Sequence, residues 1–181
     1  MSDPPGTIAA VDVEIVRSPR RRKTISAEQR GGTIVVRVPA GMPAEEERAW
    51  VARMVDRLTS RDRTRRLNAG GALERAAERL NRDHFEGRLR WTSIRYVGNQ
   101  RSRFGSCTPE DGTIRVSDRV ADLPDWVRDY VVMHELAHLV DASHSPRFWG
   151  LVGRYPRMER ARGYLMALGL DERGDQPGGV S

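Results

Sequence analysis

The segment HELAHLVDASH, at residues 134–144, holds three of the four histidines of the chain and a glutamate. His134 and His138 are four residues apart, which on an α-helix is a rotation of about 40° and a rise of about 6 Å. Both rings therefore project from one face, where they can bind one tetrahedral metal ion. Glu135 can lie beside that ion and accept a proton from a bound water. This H-E-x-x-H spacing predicts a zinc site built for hydrolysis, with Glu135 as the general base.

A third protein ligand is needed, because zinc held by only two side chains would be bound weakly. His144 is the favoured candidate, since the Ser-Pro step directly after it disfavours a continuing helix and allows the chain to fold back. Two alternatives stay open at this point. Asp141 lies one turn beyond His138 on the same helical face, and Glu159 belongs to a later predicted helix.

A purely structural explanation of the segment is that His134 and His138 are core histidines with hydrogen-bond partners. The surrounding sequence WVRDYVVMHELAHLV is apolar on nearly every side, which is typical of a buried helix. Polar groups that face one way from such a helix need a partner, and a metal ion provides one. The helix break before His144 and the buried setting therefore favour the metal.

The composition of the chain limits the classes of protein to which it can belong. It has 181 residues, 38% of them hydrophobic, which is enough for one core with a small appendage. It has no apolar run long enough to cross a bilayer, and its start, MSDPPGTIAA, lacks the features of a signal peptide. Its single cysteine, Cys107, cannot form an internal disulfide. We therefore expect a cytoplasmic protein with no membrane partner.

The elements that position the histidines are predicted from hydrophobic periodicity and from turn residues. Strands are expected at residues 8–16, just before EQRGG, and at 33–39, 91–98, 102–107 and 113–117. Helices are expected from Pro43 to NAGG, at 72–85, from Pro124, from Pro146 and at 157–168. The N-terminal strands should form a small antiparallel unit. The fold class is therefore α+β, with the histidine-bearing helix packed on a second small antiparallel sheet.

Four segments follow from this arrangement of elements. They are an N-terminal β-rich segment (1–43), a connecting helix and linker (44–71), a catalytic core (72–169) and a disordered tail (170–181). The tail, DERGDQPGGVS, is polar and offers nothing that could pack against a core.

Several motifs together resemble the YgjP-like family of zinc metallopeptidases. They are RSRFGSC at 101–107, PDWVRDYVVMHELAHL at 124–139 and HSPRFW at 144–149, with SPRRRKTIS and IVVRVPAGM near the start. LNRDHFEGRL at 80–89 is also similar to the related SprT-like proteases. The resemblance, over about residues 10–165, implies a zincin-like core that acts on polypeptides, with Zn2+ bound by His134, His138 and His144 and with Glu135 as the catalytic base. The family usually has a tryptophan where this chain has Phe104.

Other residues are weaker candidates for a role in chemistry. Arg103 and Tyr155 are possible contacts to the transition state or the substrate, and a strand near residues 112–117 can offer an edge to an extended peptide. Cys107 with a histidine can indicate a cysteine protease, but a lone cysteine in a strand is more typical of packing. His84 is interpreted as a packing or surface histidine.

A basic segment suggests a second class of function. The net charge is +6, and Lys23 is the only lysine, so arginine carries nearly all the positive charge. Arginine richness from a GC-rich genome is the favoured explanation, but Arg20, Arg21, Arg22 and Lys23 are candidate contacts to DNA. In that alternative the chain is a basic DNA-associated protein, SprT-like or non-catalytic, with a structural zinc. A structural zinc is normally closed by four protein ligands, and only three are evident here, which favours the enzyme.

Overall fold

The structure is a computed structural model that describes residues 12–100 and 103–168. Within these ranges it contains five α-helices and two three-stranded sheets, which confirms the α+β fold class. The start of the first predicted strand, residues 101 and 102 of the RSRFGSC motif and the predicted disordered tail lie outside the described residues. The chain divides into two compact units between Arg63 and Thr64, within the helix that was predicted to connect the two parts.

The first unit has a sheet of β1 (Val13–Ser18), β2 (Ser26–Arg30) and β3 (Thr33–Pro39), with β3 in the centre. Side chains of β3 pack against α1 (Ala44–Ala69) and form a small core: Ile34, Val36, Val38, Val51, Met54, Val55 and Leu58. β2 pairs with β3 antiparallel, but β1 pairs with β3 in the parallel direction. The expectation of a purely antiparallel unit was therefore wrong. The hairpin places β2 on one side of the apolar strand β3, and β1 pairs with the other side.

The second unit has a sheet of β4 (Ser93–Val97), β5 (Gly105–Thr108) and β6 (Thr113–Ser117), in the order β4-β6-β5. β5 and β6 form the predicted antiparallel hairpin, whereas β4 pairs with β6 in the parallel direction. This sheet is therefore mixed, and the predicted all-antiparallel pairing was wrong. β6 is the central strand of this sheet, and its residues Ile114 and Val116 are fully buried. The predicted peptide-binding edge near residues 112–117 was also wrong, since β6 has a partner on each side.

The helices of the second unit are α2 (Ala72–Phe85), α3 (Asp125–His138), α4 (Pro146–Val152) and α5 (Met158–Ala167). A short 3-10 helix at Asp118–Asp122, which the sequence analysis did not predict, leads from β6 toward α3. The apolar stripe of α2 is buried as its periodicity predicted: Leu73, Ala76, Ala77 and Leu80.

The helix that carries the histidines is the centre of the second unit. α3 packs against α2, α4 and α5 and against strands β5 and β6. Every residue from Tyr130 to Ala137 is buried, as its nearly uniform apolar sequence predicted. Of the helices in the described ranges, none is long and apolar enough to cross a membrane.

Candidate metal centre

Three histidine side chains converge at the end of α3. Nε2 of His134 lies 3.2 Å from Nε2 of His138 and 3.3 Å from Nε2 of His144. One ligand atom from each residue lies within 4.8 Å of the other two. His134 is 5% exposed, and the other two rings are half-buried. The structure therefore brings together the three histidines that the sequence spacing selected.

The distances between these nitrogens fit a shared cation. A tetrahedral zinc ion about 2.0–2.1 Å from each nitrogen separates its ligand atoms by about 3.3 Å. A hydrogen bond between two neutral rings explains one such distance, but each imidazole nitrogen carries only one proton or one lone pair. Nε2 of His134 meets two other ring nitrogens. The donor set therefore fits a metal ion better than a chain of hydrogen-bonded histidines.

The protonation states of the rings also suit a metal ion. Nδ1 of His138 lies 3.2 Å from the backbone carbonyl oxygen of Asp141, and because a carbonyl can only accept, Nδ1 carries the proton. The lone pair of the neutral ring is then on Nε2, which faces the cluster. Burial, followed by the charges of His138, His144 and Arg162, lowers the pKa of His134 to about 3. This ring is therefore neutral at neutral pH, as a metal ligand must be.

A short loop after α3 turns the chain back so that His144 reaches the cluster. The carboxylate of Asp141 accepts hydrogen bonds from the backbone N–H of Ser143 at 3.0 Å and from its hydroxyl at 2.7 Å. It also accepts one from the Ser145 hydroxyl at 2.5 Å. The same Ser145 oxygen accepts from the backbone N–H of Phe148 and so caps α4. His144 therefore lies between Ser143 and Ser145, and both serines are hydrogen-bonded to the carboxylate of Asp141.

The two alternative third ligands lie outside the cluster. The hydrogen bonds from Ser145 and then Ser143 lower the pKa of Asp141 to about 2, and they direct its carboxylate into the loop. The side chain of Glu159 is 80% exposed and pairs with Arg162 at 3.5 Å. Among the described residues, the group of potential metal ligands at this site contains only histidines.

Two aromatic rings, those of Phe148 and Trp149, pack against the histidine cluster. Phe148 is fully buried and stacks on His138 with a centroid distance of 4.4 Å. Its ring also contacts His134 edge-on at 4.9 Å and His144 at 4.7 Å. The ring of Trp149 lies 5.8 Å from that of His144, and the guanidinium of Arg162 lies over the Trp149 ring, 5.3 Å from its centroid. These contacts restrict the orientations of all three imidazoles.

Glu135 lies on the side of α3 that faces β5. It is 4% exposed, and its carboxylate contacts the backbone of Gly105, the first residue of that strand. The sequence analysis did not identify Gly105 as part of the site. A signal was present, because a glycine inside a predicted strand often marks a close approach of another group to the backbone.

Of the two predicted transition-state contacts, Tyr155 lies away from the histidines. Its hydroxyl donates to the backbone carbonyl oxygen of Trp126 at 2.9 Å. Trp126 is eight residues before His134, which is about 12 Å along the helix. Arg103 is exposed and lies two residues before the contact of β5 with Glu135.

The remaining candidates have structural surroundings. Burial, followed by the nearby carboxylates of Glu135, Asp111 and Glu110, raises the pKa of Cys107 to about 12. A thiol that stays protonated at neutral pH is a poor nucleophile, which argues against a cysteine protease. His84 packs edge-on against Tyr155 at 6.3 Å, outside the histidine cluster.

The candidate DNA contacts lie in the loop between β1 and β2. Arg20, Arg22 and Lys23 are exposed there, and Arg21 is half-buried. The guanidinium of Arg21 donates to the backbone carbonyl oxygen of Thr24 at 3.4 Å. The loop therefore presents three cationic side chains to solvent.

Three comparisons with known proteins bear on the family of the chain. Among solved structures, the metallopeptidase zymogen of Pyrococcus abyssi abylysin is 23% identical and covers 55% of this chain and 96% of its own, with a TM-score of 0.48. No curated protein matches the chain. The YgjP-like metallopeptidase domain matches residues 55–167, more than half of the sequence, and this confirms the resemblance drawn from the motifs. The chain belongs to the YgjP-like family of metallopeptidases.

Proposed function

We propose that the protein hydrolyses peptide bonds with a zinc ion held by His134, His138 and His144 and with Glu135 as general base. The observation that carries this proposal is the convergence of three Nε2 atoms at the end of the helix that also carries the buried carboxylate of Glu135. Three imidazole ligands leave one position of a tetrahedral ion open, as in catalytic rather than structural zinc sites.

The residues of the chain have separate parts in this mechanism. When bound, a zinc ion supplies a Lewis acid that lowers the pKa of a coordinated water. Glu135 accepts the proton of the attacking water on its carboxylate and later passes it to the leaving nitrogen. The carbonyl oxygen of Asp141 keeps the proton of His138 on Nδ1, so that Nε2 stays available as a ligand.

A peptide substrate has a suitable place beside this site. β6 is paired on both sides, whereas β5 is paired only with β6 in the part of the sheet that the structure describes. The outer edge of β5 can therefore pair with an extended peptide through backbone hydrogen bonds. Because Gly105 of β5 contacts Glu135, such a peptide would run close to the base. Arg103, exposed just before β5, is the remaining candidate for a contact to the substrate carbonyl.

The test combines metal content with peptide cleavage. Elemental mass spectrometry would give zinc per chain, and mass spectrometry of a digested peptide library would give cleavage, for the wild type and Glu135→Gln. We expect about one zinc per chain in both proteins and a loss of cleavage of at least about 10²-fold in the variant, in line with removal of a general base. Zinc-loaded Glu135→Gln that cleaves like the wild type would contradict the mechanism, and wild type without zinc would contradict the metal assignment.

A second candidate function is contact with DNA through the β1–β2 loop. The observation that favours it is the exposure of Arg20, Arg22 and Lys23 at one loop. Binding of a duplex oligonucleotide should weaken steeply as salt rises, and replacing these three residues by alanine should reduce the slope. A binding curve that does not change with salt, or with the triple substitution, would exclude this contact.

A further inference from the structure

The position of the Glu135 carboxylate depends on the absence of a side chain at residue 105. A Cβ atom built on Gly105 would lie 2.7 Å from Cδ of Glu135 and 2.8 Å from its Cγ, and closer still to Oε1. Ordinary contacts of a Cβ atom are about 3.4–4 Å, so the carboxylate occupies the space that any other residue would fill. The backbone of Gly105 is not in the left-handed region, so its conformation alone does not require glycine.

Neither the strand β5 nor the helix α3 has room to move away from this contact. β5 is held by pairing of Gly105 with Val116 and of Cys107 with Ile114, and just before it the Phe104 carbonyl accepts from the Ser117 N–H at 2.7 Å. On the other side, α3 is fixed in the core by residues buried on every face. An added methyl group would therefore displace the end of the Glu135 side chain by roughly 1 Å, rather than the strand or the helix, because packed interiors have little free volume.

We propose that Gly105 is a positioning residue for the general base. Because residue 105 has no side chain, the space beside β5 is left for the Glu135 carboxylate. This inference rests on the proposed function, since it assigns a catalytic consequence to the contact. A base must stand within hydrogen-bond reach of the proton it abstracts. A displacement of about 1 Å at a catalytic group costs on the order of 10² in rate.

The first test is the kinetics of zinc-loaded Gly105→Ala, with Gly163→Ala as the matched control. Gly163 lies in α5, and a Cβ built there meets nothing within 4 Å. For Gly105→Ala we expect a fall in kcat of about 10²-fold with little change in KM and with full zinc. The control should keep its kcat. Wild-type kcat in Gly105→Ala, or a loss of activity that follows a loss of zinc, would overturn the proposal.

The second test uses metal-free protein and needs no activity. Gly105→Ala should lower Tm by several degrees in the wild-type background, and much less in a Glu135→Ala background, where the clashing atoms are gone. Equal shifts in both backgrounds would show that the added methyl group meets something other than Glu135, and would overturn the proposal. The general-base role of Glu135 and the steric role of Gly105 can be distinguished. Wild-type cleavage by Glu135→Gln would contradict the first and would leave this thermal result unchanged.

Discussion

Asp141 binds the ring of His138 through its backbone: its carbonyl oxygen lies 3.2 Å from Nδ1 of that ring. The side chain of the same residue accepts hydrogen bonds from Ser143 and Ser145, on either side of His144. One residue therefore orients the ring of His138 by its main chain and positions His144 by its carboxylate. Asp141, which the sequence offered as an alternative ligand, acts in the structure as a support for two histidines.

We expect Asp141→Ala to weaken zinc binding by about 10- to 100-fold, the usual effect of removing a group that orients a ligand. The substitution leaves the backbone carbonyl in place but removes all three acceptor contacts that hold the loop. Competition with a chelator of known affinity measures the change. Glu110→Ala, at an exposed acid before β6, is the control and should bind zinc like the wild type. Unchanged affinity in Asp141→Ala would mean that the loop holds His144 without its carboxylate.

The third ligand can be assigned by metal content. His144→Ala should retain much less than one zinc per chain, because it removes one of three converging nitrogens. Glu159→Ala should keep its zinc, since that side chain is largely exposed and paired with Arg162. Elemental mass spectrometry of dialysed protein gives both values. The reverse pattern would transfer the third position to Glu159.

Cys107 should make stability depend on pH in the alkaline range. Its pKa is raised from 9.0 to about 12, so the unfolded chain releases the thiol proton before the folded one does. The stabilisation from the neutral buried thiol is complete below about pH 9 and is lost as the pH rises from 9 toward 12. Urea unfolding at several pH values should show this slope in the wild type and a smaller one in Cys107→Ala. Peptide cleavage should be retained in Cys107→Ala. If Cys107 were the nucleophile, cleavage would be lost.

Asn81 should be important for stability rather than for chemistry. It is 6% exposed, and its side-chain amide donates to the Leu89 carbonyl oxygen and accepts from the Leu89 N–H, each at 3.1 Å. Asn81→Ala leaves both backbone groups of Leu89 without these partners and should destabilise the protein by about 2–3 kcal/mol. Urea denaturation measures the loss. Arg82→Ala, at the exposed neighbouring position, should stay within about 0.5 kcal/mol of the wild type.

Much of the local structure could be predicted from the sequence. Periodicity and turn residues correctly predicted the bounds of α2 and β6, and the Ser-Pro step predicted the start of α4. The histidine cluster was predictable because its members are close in the chain and helix geometry fixes their spacing. The strand order and the parallel pairing of β4 with β6 were not predictable, because they depend on which strands meet in space. The contact between Gly105 and Glu135 escaped prediction for the same reason.

The loop after α3 has a consequence for the order in which the site forms. The three histidines occupy residues 134–144, so bringing them together closes only short stretches of chain and costs little loop-closure entropy. Gly105 precedes Glu135 by 30 residues and reaches it only after β5 has paired with β6. We therefore expect metal capture to be an early, local folding event and alignment of the base a late, long-range one. Under the proposed mechanism, a chain in which β5 has separated from β6 would keep its metal ion but lose peptide cleavage.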